Sequence, residues 1–304
     1  MASGYSDYLP FAGLPTFWRT EHTRDLDGVD IAVMGVPFDC GTSNRPGARF
    51  GAQEIRRLSL HTGNFHHPWP TDVTDTKRVI DYGDVGMSVG PDAIATMIGQ
   101  SQEHADRVFA AGARLFTLGG DHTVPYGPVR AARRHHGPLA LVHFDSHQDS
   151  LSGNGGRDIF HGTFAHDLAA EGSVDASRST QAFIRTDMPN ENGYDILYAH
   201  EAFYLDPRRV AERITANAGD APVYITFDID CLDPAYAPGT GTPVPGGPST
   251  GYVREVLRHM RGLNVVGGDM AEVAPHLDPS EITAMAAGTI IGDILQLMAA
   301  ADAP

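Results

Sequence analysis

Short apolar runs alternate along the chain with segments whose apolar residues recur every three or four positions. The runs are rich in β-branched and aromatic residues, which predicts buried strands at 30–36, 79–82, 113–118, 139–144, 180–184, 223–228 and 264–268. The helical spacing predicts helices over 94–112, 124–135, 163–170, 210–218, 249–261 and from 280 onward. Because strands and helices alternate, we expect a largely parallel sheet with helices on both faces.

This pattern continues through the chain without an evident break. At 304 residues, the chain is long enough for one large α/β domain or two small ones. It contains no Pro/Ser-rich linker, low-complexity run or internal repeat, so we predict a single domain over 1–304. Residues 1–28 are polar and include Pro10 and Pro15, and we expect them to form an arm on the surface or against a neighbouring subunit.

The segment 141–149 joins a predicted strand to a cluster of polar side chains. Asp145, His147 and Asp149 stand at alternate positions, so an extended backbone directs them to one face. They follow the C-terminal end of the strand, where a parallel sheet opens onto its binding crevice. Carboxylates and imidazole together suit Mn, Fe, Zn or Ni, although acidic residues at a strand end can also cap the next helix. We assign His143 to the opposite face, as a hydrogen-bonded core residue.

Two further strand ends carry the same kinds of side chain. His122 follows the turn Gly119-Gly120 after one predicted strand, and Asp228 and Asp230 end another. A lone histidine at such a place is more often structural, but the three segments together supply six candidate metal ligands: His122, Asp145, His147, Asp149, Asp228 and Asp230. Four carboxylates exceed what one divalent ion needs. They predict two ions about 3.5–4 Å apart that share a bridging carboxylate.

The charge of the chain narrows its possible partners. A net charge of −16 at pH 7 argues against nucleic acid or an anionic membrane surface as partner. It suits a cationic substrate and, equally, a role in solubility. Two cysteines, Cys40 and Cys231, provide no disulfide framework. No stretch approaches the roughly 18 apolar residues of a membrane span and no signal-peptide pattern opens the chain, so we expect a cytoplasmic protein.

A series of short motifs follows in a fixed order from about residue 30 to 300. They are Arg-Pro-Gly-Ala-Arg-Phe-Gly (45–51), Gly-Gly-Asp-His (119–122), Asp-x-His-x-Asp (145–149), His-Gly-Thr (161–163), Asp-Ile-Asp-Cys-Leu-Asp-Pro (228–234), Ala-Pro-Gly-Thr-Gly-Thr-Pro (237–243) and Glu-Val-Ala-Pro (272–275). With these motifs the chain resembles the ureohydrolases, the family of arginase, agmatinase and their relatives. It is most similar to the bacterial agmatinase branch.

The resemblance implies an architecture and a cofactor. We expect a three-layer α/β/α fold with a central, mainly parallel sheet of about eight strands and a site at the strand C-termini. The six candidate ligands would hold two divalent ions, Mn²⁺ first, with Ni²⁺ or Zn²⁺ also able to bind such donors. The family further implies a homo-oligomer, a trimer or a hexamer.

The same resemblance implies hydrolysis of a guanidino group to urea and an amine. The guanidinium carbon is a poor electrophile, and metal ions supply a strong nucleophile by lowering the pKa of water to about 7. Asp149 would relay a proton to the leaving amine, and His161 would exchange protons with solvent, because imidazole titrates near neutral pH. Glu272 matches the family's guanidinium-binding glutamate, and Thr242 matches a position in the same pocket. His161 would also border the substrate. The alternative interpretation is that His161 is a loop histidine without a functional role.

Three functions remain open on these residues. The first is hydrolysis of agmatine to putrescine and urea. The second is hydrolysis of another guanidino compound, such as 4-guanidinobutyrate, 3-guanidinopropionate, or an N-alkylated guanidine or biguanide. The third is a non-catalytic subunit of a hetero-oligomer, against which the complete ligand set argues. Ser146 and Gln148 depart from the family's usual motif, and their effect does not follow from the sequence.

Overall fold

The computed structural model describes residues 12–62, 67–86 and 88–301 and is built around a parallel sheet. The strands are β1 (Glu21–His22), β2 (Ile31–Gly35), β3 (Val79–Asp84), β4 (Arg114–Leu118), β5 (Ala140–Phe144), β6 (Thr180–Ile184), β7 (Asp195–Tyr198), β8 (Pro222–Asp228) and β9 (Asn264–Ala271). The helices are α1 (Gly51–Thr62), α2 (Val73–Thr76), α3 (Ala93–Ala110), α4 (Tyr126–His136), α5 (Phe164–Ala170), α6 (Ala199–Ala202), α7 (Pro207–Ala218), α8 (Thr250–His259) and α9 (Ile282–Ala300).

Helices cover both faces of the sheet and enclose two hydrophobic cores. Successive residues of a strand point to opposite faces, so Ile31 and Val33 of β2 face one core while Ala32 and Met34 face the other. Helices α1, α7, α8 and α9 pack on the first face, and α3, α4 and α5 pack on the second. The three-layer α/β/α architecture is therefore confirmed, with nine strands instead of about eight.

The strand order brings distant parts of the chain together. It runs β1-β3-β2-β4-β9-β8-β5-β6-β7, and the pairings are parallel. The C-terminal ends of β4, β9, β8 and β5 therefore lie side by side in the middle of one edge. Four segments meet there: 119–123, Glu272, 228–230 and 145–149.

The strands and helices that the sequence predicts all occur, and the structure adds α1, α2, α6, β1 and β7 to them. Strand β7 was not predicted, because its four residues follow a polar loop and alternate weakly. The predicted arm 1–28 lies partly outside the described residues. In its described part, Phe17 is fully buried and β1 pairs with β3, so this stretch completes one edge of the domain's own sheet.

Helix α9 is the apolar centre of its layer. By length and composition it could cross a membrane, contrary to the expectation that no stretch comes close to a span. However, 72% of its apolar window is buried inside the domain. A helix that is apolar on most sides is also what the middle of a packed layer requires.

A buried ion pair attaches α1 and the N-terminal stretch to β3. Arg56 donates to both carboxylate oxygens of Asp81 at 2.8 and 3.0 Å, and the N–H of Phe17 donates to the same carboxylate at 2.8 Å. Burial lowers the pKa of Arg56, but Asp81 and Asp84 outweigh it and leave that pKa above its ordinary value. The pair is stable only while both charges are present.

Replacing Arg56 with Met should lower the free energy of unfolding by about 3–5 kcal/mol, because Asp81 would keep a buried and unpaired charge. The matched control is Arg57→Met on the same helix. Arg57 pairs with Glu54 while its side chain is 43% exposed, so its loss should cost about 0–1 kcal/mol. Urea unfolding measures both changes, and equal losses would contradict this account.

Candidate metal centre

His122 is the point on which one group of candidate ligands converges. Its Nδ1 lies 3.0 Å from Asp149 Oδ2, 3.1 Å from Asp145 Oδ2 and 3.3 Å from Asp228 Oδ2. None of these oxygens lies in a direction suited to a hydrogen bond with that nitrogen. All four side chains are almost fully buried.

The hydrogen bond at Nε2, on the opposite side of the imidazole ring, determines whether Nδ1 of the neutral ring carries a proton. Thr226 Oγ1 donates to Asp269 Oδ1 at 2.7 Å and therefore accepts from Nε2 of His122 at 2.8 Å. A neutral ring therefore carries its proton on Nε2 and presents the lone pair of Nδ1 to three carboxylates, whereas a protonated ring presents an N–H to them. Acceptors that face only acceptors need a cation between them, so these side chains fit a bound divalent metal ion.

A second group lies beside the first and shares one carboxylate with it. Asp145 turns Oδ2 toward His122, while its Oδ1 lies 3.4 Å from Nδ1 of His147. Asp230 Oδ2 lies 3.1 Å from the same nitrogen of His147. The three donors lie close enough to hold one ion, and Asp145 could bridge to the other group. The structure thus brings all six predicted ligands together in two adjacent sets.

His143 faces the site, so its predicted placement on the opposite face is wrong. Positions 143 and 145 are two apart and share a face of β5, as strand alternation requires. The amide of Gln181 donates to Nδ1 of His143 at 3.0 Å, which leaves the proton on Nε2 for a bond of 2.7 Å to Asp145 Oδ2. Since both ring nitrogens are engaged, His143 orients the shared carboxylate.

The charged side chains of the cluster strongly shift one another's pKa values. Burial lowers the pKa of His147, but Asp145 and Asp230 outweigh burial and raise the pKa to about 12. The pKa of His122 is likewise well above its usual value, because three carboxylates outweigh burial. Burial and the charges of Asp230 and Asp145 raise the pKa of Asp228. Without metal, protons on the histidines balance the carboxylates.

Glu272 and His161 form a connected pair next to this cluster. Glu272 Oε1 accepts from the N–H of His122 at 2.9 Å and from Nδ1 of His161 at 2.8 Å. Nε2 of His161 receives the N–H and the hydroxyl of Ser43 at 3.2 and 2.6 Å. Burial lowers the pKa of His161 and Glu272 raises it, with the result at about 9, whereas the N–H of Ser43 favours a neutral ring.

The loop 237–243 closes the site from the side of β8. Thr242 Oγ1 lies 3.3 Å from Asp230 Oδ2, so the predicted pocket residue does reach the centre. Arg45 donates to the carbonyls of Thr240 and Gly241 at 2.5 and 3.2 Å and thereby tethers this loop. Arg45 thus acts on the site through the loop backbone that it holds.

Two of the candidate functional residues have an unfavourable backbone. Asp149 and Glu272 have φ angles of 47° and 63°, in the left-handed region that side-chain-bearing residues rarely adopt. Such conformations cost about 1–3 kcal/mol and persist where the surroundings over-determine them. For Glu272, the surroundings include the carbonyl of Gly120, which accepts its N–H at 2.8 Å. A Cβ on Gly120 would lie 1.7 Å from the carbonyl oxygen of Phe38, so only glycine fits there.

Sequence reasoning missed the residues that hold the ligands in place: Ser43, Thr226, Asp269 and Gln181. Thr226 lies two positions before Asp228 on the same face of β8, so alternation could have identified it. Asp269 is a carboxylate inside an apolar strand, and a buried carboxylate of this kind also indicates a functional or supporting role. No local pattern identifies Ser43, because only the folded conformation of its loop brings it to His161.

The two departures from the family motif have different surroundings. Ser146 donates its hydroxyl to Asp230 Oδ1 at 2.6 Å, so it touches a candidate ligand. Gln148 is fully buried and points to the next loop, where its Oε1 accepts the N–H of Met188 at 2.9 Å. Ser146 can therefore influence the second group of ligands, while Gln148 supports a loop.

A buried set of carboxylates and imidazoles at the C-terminal edge of a parallel α/β sheet is the donor set expected of a metal-dependent hydrolase. Comparison with known proteins supports this class. An agmatinase of Chromobacterium violaceum is 43% identical over 291 residues, which cover 95% of this chain and 89% of that protein.

Solved structures are similar in fold as well as sequence. A hypothetical agmatinase from Burkholderia thailandensis superposes with a TM-score of 0.90 at 40% identity, covering 95% of this chain and 92% of that one. Proclavaminate amidino hydrolase from Streptomyces clavuligerus gives a TM-score of 0.91 at 35% identity, covering 96% and 99%. The Arginase family profile matches residues 29–296. The chain belongs to the arginase family.

Metal loading should release protons. The raised pKa values of His122 and His147 mean that both rings are protonated near pH 7 without metal, whereas a coordinating nitrogen must give up its proton. Fewer protons need to be displaced at higher pH, so the apparent metal affinity should rise from pH 6 to 8.

Titrating Mn²⁺ into metal-free protein in a weakly buffered solution measures the released protons directly. Calorimetry in two buffers of different ionisation enthalpy provides an independent value. Mn²⁺ binding without proton release at pH 7 would contradict the protonation assigned to these two histidines.

Proposed function

We propose that this protein hydrolyses agmatine to putrescine and urea at a centre of two divalent cations, with Mn²⁺ as the metal. The observation that carries the proposal is Nδ1 of His122 facing three buried carboxylates, next to a second donor group that shares Asp145. Relatedness to agmatinases supports the substrate.

The six candidate ligands divide between the two ions. His122, Asp149 and Asp228 would serve the first ion, His147 and Asp230 the second, and Asp145 both. When bound, divalent cations in such a site lower the pKa of water to about 7 and so supply the nucleophile. Oxygen-rich donor sets with few imidazoles suit Mn²⁺ well.

Glu272 would bind the guanidinium group. Its Oε1 is occupied by His122 and His161, while Oε2 faces the loop at Gly241, where a Cβ would lie 3.6 Å away. Among the described residues no hydrogen-bond donor to Oε2 is seen, and a buried carboxylate oxygen of this kind suits the planar N–H fork of a guanidinium. Thr242 lines the same side of the site.

Proton transfer falls to Asp149 and His161. Asp149 lies at the first donor group and is 6% exposed, so it can pass a proton to a leaving amine inside the site. His161 is hydrogen-bonded to Glu272 on one side and to the exposed Ser43 on the other, which supports a role in exchanging protons between the site and solvent. Together they would form the path by which the amine leaves protonated.

The substrate tail separates two candidate functions. Agmatine ends in an ammonium group, and the exposed acidic residues Asp158, Asp187 and Glu191 would favour it. Hydrolysis of another guanidino compound is the second candidate, because the chain is 35% identical to a proclavaminate amidino hydrolase, and exposed Arg157 would favour a carboxylate tail. The intact donor set weighs against a non-catalytic subunit.

Purified, Mn²⁺-loaded protein should bind two ions per chain and release urea faster from agmatine than from 4-guanidinobutyrate or 3-guanidinopropionate, because their carboxylates would meet acidic loops. Elemental analysis and a urea assay measure this. Light scattering of the same sample should show three or six chains, as we propose for a cytoplasmic homo-oligomer of this family.

Each result decides one part of the proposal. Saturation at one ion per chain would contradict the two-ion centre. Faster hydrolysis of 4-guanidinobutyrate would favour the second candidate function. Fully loaded protein that releases no urea from any of the three compounds would favour the non-catalytic subunit, and a single-chain mass would contradict the oligomer.

Glu272→Gln and His161→Asn should affect different kinetic constants. Glu272→Gln keeps the shape but removes the charge that pairs with the guanidinium. A buried charged hydrogen bond is worth about 2–5 kcal/mol, so kcat/KM should fall by about 30-fold or more. His161→Asn should lower kcat by about 10–10³-fold, since a proton shuttle acts in turnover.

Steady-state kinetics with metal analysis of each variant separates the two roles. Metal content should stay at the wild-type value in both, and imidazole should restore part of the activity of His161→Asn. Loss of metal in Glu272→Gln would identify Glu272 as a ligand. Full turnover of His161→Asn across pH 6–9 would refute the shuttle role.

A further inference from the structure

Arg185 follows β6, and its guanidinium is surrounded by main-chain carbonyl oxygens. Nε donates to the carbonyl of Val244 at 2.9 Å. The terminal nitrogens donate to the carbonyls of Phe183 (3.1 Å), Cys231 (3.0 Å), Asp230 (2.7 Å) and Leu232 (3.2 Å). Arginine side chains commonly pair with carboxylates, whereas these five acceptors are neutral. Three of them belong to consecutive residues that include the candidate ligand Asp230.

A bulge in β6 turns the chain toward these carbonyls. Ala182 pairs with Leu197 and Ile184 with the next residue of β7, Tyr198, so Phe183 is an extra residue in the strand. Phe183 has a φ of 71°, in the left-handed region. Bulges bend a strand and redirect the side chains that follow, so the strain at Phe183 accompanies the placement of Arg185.

The same stretch also holds the segment that carries His147. The N–H of Arg185 donates to the carbonyl of Ser146 at 3.0 Å, and the hydroxyl of Thr186 donates to the same oxygen at 3.1 Å. Ser146 lies between Asp145 and His147. Residues 185–186 therefore contact both segments that supply the second donor group.

We propose that Arg185 is a positioning residue that organises the His147 and Asp230 half of the centre, and thereby sets the affinity for the second ion. The inference rests on the two-ion centre proposed above. Within the described residues, the guanidinium of Arg185 donates to three carbonyls of the segment 230–232, which belongs to the second donor group. Its other acceptors are the carbonyl of Phe183 in its own strand and that of Val244, which follows the loop 237–243. The segment 119–123 around His122 is held by Glu272 and Thr226 instead.

Arg185→Lys tests the geometry rather than the charge. Lysine keeps the positive charge but has one nitrogen, which cannot span carbonyls that a planar guanidinium reaches from three nitrogens. The first Mn²⁺ should bind with wild-type affinity, and the second should bind about 10–100-fold more weakly, as when other supports of metal ligands are removed.

Equilibrium dialysis with elemental analysis gives the two affinities. Urea release should be low at limiting Mn²⁺ and recover at excess Mn²⁺, with the KM for agmatine then at its wild-type value. Arg213→Lys is the matched control, because Arg213 makes a two-pronged contact with Asp195 of β7 at 2.9 and 2.5 Å and touches neither donor group. Its metal affinities should equal those of the wild type.

Three outcomes would overturn the role of Arg185. Wild-type affinity for both ions in Arg185→Lys would refute it, with the proposed function intact. Equal weakening of both ions together with a lower unfolding temperature would show a general structural role. A wild-type chain that saturates at one ion would overturn this inference and the two-ion function together.

A milder variant keeps the test decisive where Arg185→Lys does not fold. Thr186→Val removes only the hydroxyl bond to the carbonyl of Ser146. The loss of one such hydrogen bond should lower metal affinity by about 2–10-fold. Only the affinity for the second ion should fall. Unchanged affinity for the second ion in Thr186→Val would also refute the proposal.

Discussion

A cluster of buried carboxylates around one imidazole nitrogen is the constraint on which this structure depends. Buried charges are very costly unless opposite charges compensate them. The site places Asp145, Asp149 and Asp228 within 3.3 Å of Nδ1 of His122, and a second group adjoins it. Protons on the histidines balance the charge without metal, and divalent cations can replace them. The surrounding sheet and loops hold these carboxylates together although they repel one another.

The groups are held by a surrounding layer of hydrogen bonds rather than by their own attraction. Thr226 and Asp269 fix the orientation of His122, and His143 fixes that of the shared carboxylate. Ser146 contacts Asp230 directly. Rigid support of this kind lets a site keep its geometry before the ligand arrives, which reduces the reorganisation that binding requires. The left-handed backbone at Asp149 and Glu272 is tolerated for the same reason.

The reaction and the substrate depend on different parts of the protein. The metal centre lies on strand ends deep in the sheet, whereas the substrate tail would meet the loops at the rim. Related chains of the same fold include agmatinases and a proclavaminate amidino hydrolase. Loops can vary without disturbing the core, so one metal centre can serve guanidino compounds with different tails.

The sequence alone determined most of the strands and helices of this protein and indicated its candidate metal ligands. Periodicity located each predicted strand, and the spacing of Asp145, His147 and Asp149 indicated a metal site, because both signals are local. Only the tertiary structure decided which residues support that site. The strand order places β9 between β4 and β8, so Glu272 reaches His122 across 150 positions, and Ser43 reaches His161 across 118. Such contacts arise from the packing of the sheet, and no local pattern encodes them.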